Sequence, residues 1–455
     1  TNCRIGTARG SACYLSDFAI ASSCEFYGLL YVTHSCTVQG SSIYWLRDYV
    51  DNHPALIAIN VTVGACQIAH VGWSGAVEDG ILGLTQSHFH DNIITPSLYL
   101  RGIGGVSGSL HVVMGNSVGV NLGVGTAGDV AGNSRIVGNI VSGILSADGN
   151  QDTISDNNVG TLTYVGDSSS ISSNEVLVGN LSVTGAPAGT GHNALTGNKV
   201  LNAGADIVVT SSDFTPIQGN ESAGDLQVIR ADFSTVVGNR VAAELNIAAD
   251  CMDVTVASNG VGDGLGAGSL IVLSDRSMVT GNKVGNQLQL WGTASTATGN
   301  FVFNNLDVCG SNLIVANTCA VTGNRIGGHL LVGDATLAQA SNGQNSTIGD
   351  NMVGGGIHIF GTAAGCTLSG NRVAGVVAAN MSIDMDAIGT ITGNRLAQDI
   401  DILNPGAHGS VIVGNSVNAL TGSNTGVVHV GNKILGVNGQ FGAPPTGPNP
   451  TGNAA

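Results

Sequence analysis

Four aspartates crowd into one late stretch, Asp384, Asp386, Asp399 and Asp401, and paired carboxylates are the groups that move protons in glycoside cleavage. Asp384 sits in Ile383-Asp384-Met385 and Asp401 in Ile400-Asp401-Ile402. On a strand, a residue between two inward aliphatics faces outward. If the two strands are neighbours, the carboxylates stand about one strand spacing apart, near the ~5 Å separation that suits a retaining mechanism. We take Asp384 and Asp401 as the candidate catalytic pair. Asp307 and His358 are expected at the same outward position of other strands, and Trp291 and Phe360 one step beyond it. With Asp386 and Asp399 they make a candidate sugar-binding face carrying two aromatic platforms. The competing reading is that these carboxylates only keep an acidic surface solvated.

Such a face requires the chain to return repeatedly to the same place, and the sequence shows that it does. Sixteen times it runs aliphatic, two residues, Asn, one residue and usually another aliphatic, as in Val279-Thr280-Gly281-Asn282-Lys283-Val284 and Ile391-Thr392-Gly393-Asn394-Arg395-Leu396. The asparagines run from Asn116 to Asn432 at intervals of 17 to 27. The mean, about 21, is a stacked-repeat period. Gly precedes twelve of the sixteen and Asp or Ser the other four, so positive φ is available for a sharp bend. A second run with aliphatics two apart follows most bends, as in Leu245/Ile247, Leu288/Leu290, Leu306/Val308 and Ile400/Ile402, and period two signals strand. The 69 Gly penalise helix throughout. The chain therefore reads as all-β: a right-handed, single-stranded parallel β-helix with coils of about 21 residues, because parallel crossovers take that hand. Asn stacked over Asn can form an amide ladder along the bend.

Three segments are expected. Residues 1–110 hold five of the nine Cys, five of the 11 His and two of the three Trp; they read as an irregular β segment that caps the solenoid or attaches it to an assembly. Residues 111–437 are the β-helix, and 438–455 a Pro/Gly-rich tail.

A formal charge of −16 with only 14 Lys plus Arg argues against nucleic acid as a partner. Seven of those cations directly follow a repeat Asn: Lys199, Arg240, Lys283, Arg325, Arg372, Arg395 and Lys433. They read either as a solvated edge or as a track for an anionic glycan. No stretch reads as a membrane span or signal peptide. The cysteines lack paired C-x-x-C spacing, so they are expected mostly as buried thiols, with room for a disulfide among the first four. His88-Phe89-His90-Asp91 has metal-like spacing but only two imidazoles, and Gly262–Gly268 lacks the strand and helix of a phosphate loop. No metal or cofactor is expected.

The recurring Gly-Asn-x-aliphatic coils resemble the pectate-lyase-like right-handed β-helix superfamily, most closely the shafts of bacteriophage tailspikes and virion fibres. That resemblance implies a virion-associated, homotrimeric protein that binds, and in some members cleaves, host surface polysaccharide, held to other virion proteins through its N-terminal segment. It transfers no catalytic residues, since no position here matches the superfamily's calcium carboxylates and basic catalyst. A purely structural virion or capsid-decorating part, and a secreted or cell-surface adhesin or polysaccharide lyase, remain the alternatives.

Overall fold

The computed structural model describes residues 4–5, 12–15, 18–32, 35–48, 58–72, 81–95, 97–101, 110–125, 131–185, 192–262, 268–302, 313–315, 319–332, 345–359, 365–373, 383–385, 389–397, 400–402, 410–418, 420–422 and 427–434. The expected tail 438–455 lies outside them. The chain divides into two compact units, Thr1–Gly224 and Asp225–Ala455. Each is a right-handed parallel β-solenoid, the fold type of the pectate-lyase-like superfamilies.

One coil of the second unit shows how the sequence makes the turn. Thr235–Val237 is a short strand, the chain bends at Gly238 and Asn239, Arg240–Val241 follows, and Glu244–Ile247 completes the visible circuit. The next coil repeats this in step: Thr235 pairs with Thr255, Arg240 with Gly260, and Leu245 with Leu270. Inward residues stack coil on coil, and Val236, Val256, Val279, Val321, Ile348 and Leu368 are each fully buried. Branched aliphatics suit both the extended backbone and the narrow interior.

The bend has a fixed backbone signature. The residue before the Asn takes positive φ, as at Gly281 (63°), Ser258 (56°), Asp156 (58°) and Asp350 (53°). This is the left-handed region, where Gly carries no steric penalty and Asp or Ser a modest one. All sixteen repeat asparagines are buried and form the amide ladder. Asn282 donates its backbone N–H and its Nδ2–H to Oδ1 of Asn300 (3.0 and 2.9 Å) and a second Nδ2–H to the Val256 carbonyl (2.9 Å). No hydrogen-bonding group of that amide is stranded, which is what allows a polar side chain inside the wall.

In the first unit the ladder starts earlier than the repeat phrase indicates. Asn92 joins it, donating Nδ2–H to Asn116 Oδ1 at 2.9 Å. Further upstream Ser41 holds the same place, its Oγ accepting the Cys24 N–H at 3.1 Å, and Asn92 Oδ1 accepts the Cys66 N–H at 3.0 Å. The described residues before His111 are thus coils of the same kind, linked in register to those after it: Val112 pairs with both His88 and Arg135.

Candidate functional site

The lane that carries the candidate carboxylates forms in register. Gln289 pairs with Ile314, Ile314 with Leu331, Leu331 with His358, His358 with Asp384, and Asp384 with Asp401. Asp384 and Asp401 are therefore direct neighbours on adjacent parallel strands. One member differs from expectation. The position assigned to Asp307 belongs to Ile314, because the strand of that coil is Leu313–Val315, and Asp307 lies outside the described residues. Phe360, Asp386 and Asp399 also lie outside them.

Trp291 is half-buried just past the fully buried Leu290. Its indole N–H donates to Gln289 Oε1 at 2.9 Å, so ring and amide share the outward side. Among the described residues no three His, Cys, Asp or Glu side chains gather as a metal site. His88 and His90 flank the buried Phe89, and His90 turns to Asp91 instead, Nδ1 to Oδ2 at 3.1 Å.

A concave site that the sequence did not disclose lies in the first unit. Glu25 pairs with Ser42, Ser42 with Gln67, and Gln67 with Ile93, so four successive coils put these residues in one outward lane. Beside it the strand Glu25–Val32 slips against Ser42–Asp48 between Phe26 and Leu29. The extra residue there lifts Tyr27 out of the ladder, as bulges commonly re-aim a side chain. The result is a cleft of about 540 Å³ with Tyr27, Tyr44, Glu25, Ser42, Gln67 and Thr95 on its walls, within the range of small-molecule sites.

Its polar groups are already organised. The Tyr27 hydroxyl donates to Glu25 Oε2 at 2.6 Å and accepts from Arg4 Nη2 at 2.6 Å. The Arg4 guanidinium also lies 4.7 Å from the Tyr27 ring centroid and 3.3 Å from the Glu25 carboxylate. These contacts raise the Arg4 pKa, the Tyr27 hydrogen bond first and the Tyr27 and Glu25 charges after it. Outside the cleft's lining, Tyr14 and its register partner Tyr31 stack at 4.7 Å between centroids with 7° between planes. Aromatic faces next to a carboxylate, an amide and hydroxyls are the groups that hold a sugar ring, one stacking on its C–H face and the others bonding its hydroxyls.

The thiols are as expected in kind. Cys36, Cys66, Cys251, Cys319 and Cys366 are free and buried, and Cys13 is free and partly exposed. Burial pushes Cys319 up to about 12 and Cys251 and Cys366 up to about 11, which makes them inert as nucleophiles at neutral pH. Cys24 is in a disulfide. No helix among the described residues is long and apolar enough to cross a membrane. No protein-family model, no curated protein and no solved structure matches this chain.

Proposed function

We propose that this protein is a glycan-binding β-solenoid, and that it serves as the receptor-binding part of a virion spike or fibre. The observation that supports glycan binding best is the cleft of about 540 Å³ holding Tyr27, Tyr44, Glu25 and Gln67. Its walls set apolar and aromatic surface beside a carboxylate, an amide and hydroxyls, a combination that a sugar ring can use. The Asp384–Asp401 register pair makes the late lane of the second unit a separate candidate contact for a glycan, with Trp291 as its stacking residue. Two neighbouring carboxylates could also divide the roles of acid and nucleophile there. The virion reading draws on the coil resemblance.

Binding of the full chain to an array of bacterial surface polysaccharides tests the first claim. Tyr27→Ala and Tyr44→Ala should each weaken the best ligand about tenfold, the loss expected when a buried stacking contact is removed. An array with no bound glycan overturns glycan binding. Release of reducing ends by the wild type that vanishes in Asp384→Asn and in Asp401→Asn would establish cleavage. Unchanged release in both variants would remove that pair as catalytic.

A further inference from the structure

The position just after each ladder Asn builds a second lane, and in unit 2 its composition is unlike the rest of the molecule. Register partners link Arg240, Gly260, Lys283, Phe301, Arg325, Met352, Arg372, Arg395, Ser416 and Lys433 in unbroken order. Six of these ten are cations, none is an acid, and all six cations are exposed. The same lane in unit 1 is mixed, with Lys199 set between Glu175 and Glu221. Outside the lane, Arg276 meets Asp253 at 2.6 Å and Arg230 meets Asp250 at 3.3 Å.

The lane also stands above low ground. On its bend side the residue before each Asn is Gly in eight of the ten coils, with Ser258 and Asp350 the others. On its far side the described residues are Ala242, Gly262, Gly285, Gly327, Gly354 and Ala397, with Asn418 the one larger side chain. At Gly354 an added Cβ would come within 2.3 Å of the Gly327 carbonyl oxygen, so that floor has no room for a side chain. Long basic side chains thus line a shallow strip with one acid beside it. Phe301 lies within the strip, with the Arg325 guanidinium 5.1 Å from its ring centroid.

We propose that this lane binds an acidic polysaccharide that carries one carboxylate on every second sugar. Arg240, Lys283, Arg325 and Arg372 recur at every second coil, about 9.6 Å apart at the usual strand spacing. An extended pyranose chain advances by about one strand spacing per sugar, so alternate sugars meet successive cations while Phe301 offers a ring face between two of them. Charge density decides against nucleic acid. The lane spans about 43 Å with six cations, whereas a duplex of that length presents about 25 phosphates. The spacing also matches the Debye length of ~8 Å at physiological salt, so the lane attracts charges singly and a sparse polyanion fits it best. The inference rests on the glycan-binding reading but uses different residues from the tyrosine cleft.

The test is titration of the full chain with hyaluronan, which has one carboxylate per disaccharide, alongside neutral dextran and duplex DNA, at low and high salt. Expected is salt-sensitive hyaluronan binding that falls about tenfold or more in the triple variant Arg325→Ser/Arg372→Ser/Arg395→Ser and survives in the matching Arg→Lys triple. Far-UV dichroism and the unfolding midpoint check the fold. Lys283→Gln/Lys433→Gln supplies a second, milder variant if the first does not fold. Absent hyaluronan binding, or binding that the neutralised variants keep, overturns the proposal, as does equal or tighter binding of DNA. Salt-reversible self-association through the lane would overturn it too. Binding of other glycans through Tyr27 and Tyr44 without hyaluronan would sink this inference and leave the general one standing.

Discussion

Two buried titratable groups, His111 and Asp152, occupy one corner lane of unit 1 and pull its stability in opposite directions as pH changes. The lane runs through backbone-to-side-chain bonds: His111 N–H to Ser134 Oγ at 3.3 Å, Ser134 N–H to Asp152 Oδ1 at 2.7 Å, and Asp152 N–H to Ser169 Oγ at 2.8 Å. Desolvation pushes the Asp152 carboxyl up to about 7, with the Asp148 charge adding to it and the Ser134 bond opposing it. Desolvation also lowers His111 to about 4; its Nδ1 meets Ser87 Oγ at 2.8 Å, and its Nε2 is buried without a partner. The folded chain holds the Asp152 proton more tightly than the unfolded one, so that contribution is complete below the ordinary carboxyl value of 3.8 and is lost as pH rises through about 7. His111 does the reverse: its contribution is complete above 6.5 and is lost as pH falls through about 4. Of these two groups only Asp152 still titrates above 6.5, so their joint contribution should decline from there toward pH 8. Asp152→Asn keeps an oxygen for the Ser134 N–H and removes the charge. It should raise stability at pH 8 by on the order of 2–4 kcal/mol and flatten the decline. Urea unfolding between pH 6 and 8 measures this, and a variant that keeps the wild-type slope would refute the assignment.

A single coil is the element of this fold, and the ladder amide is what locks one coil to the next. Asn324 Oδ1 accepts both donors of Asn300 (2.8 and 3.0 Å), and its Nδ2–H groups reach the Ala297 carbonyl and Asn351 Oδ1 (2.9 and 3.0 Å). Asn324→Ala strands a buried N–H and a buried carbonyl at once, which costs about 2–4 kcal/mol. Gln218→Ala, exposed on an outward side of the first unit, should cost near zero; equal losses in the two variants would mean that the ladder is not what stabilises the wall. The ladder was legible in sequence because a buried amide beside a positive-φ residue leaves a local mark, Gly-Asn before an aliphatic. It faded where residue types changed while geometry did not: Phe89 stands in the aliphatic place before Asn92, and Ser41 and Cys66 stand where later coils have Asn. The candidate lane was legible in register at Asp384 and Asp401 but not at Asp307. Leu306/Val308 and Leu313/Val315 carry the same period-two pattern, and only pairing with Leu288–Leu290 and Leu330–Val332 selects between them. The tyrosine cleft left no local mark at all. It comes from a slip between two coils, visible only when both are in place.

The proposed spike is a statement about the whole molecule, and one face of unit 2 is suited to meeting its own copy. The outward positions of the strand before each bend include Thr235, Thr255, Thr296, Thr347, Thr367 and Thr390, and their second row includes Thr280, Thr298, Thr322 and Thr392. Register partners align both rows, as in Thr296 with Ala320 and Thr298 with Thr322, whose hydroxyls lie 3.3 Å apart. No described residue of either row in unit 2 is charged, although the chain as a whole carries −16. Burying charge is expensive, whereas short β-branched side chains lose little entropy on burial and can exchange hydroxyl bonds across an interface. A uniform charged surface would serve solubility equally well, so its interruption over two full rows favours a packed face. On the homotrimer that the coil resemblance implies, light scattering should give three chain masses that persist at high salt, since neither row offers a charge for an ion pair. Thr298→Arg/Thr322→Arg would place cations in the interface and should yield one chain mass with unchanged far-UV dichroism. A wild type that runs as a single chain at all concentrations would remove the trimer, and the cleft and lanes of one copy would then have to account for any ligand by themselves.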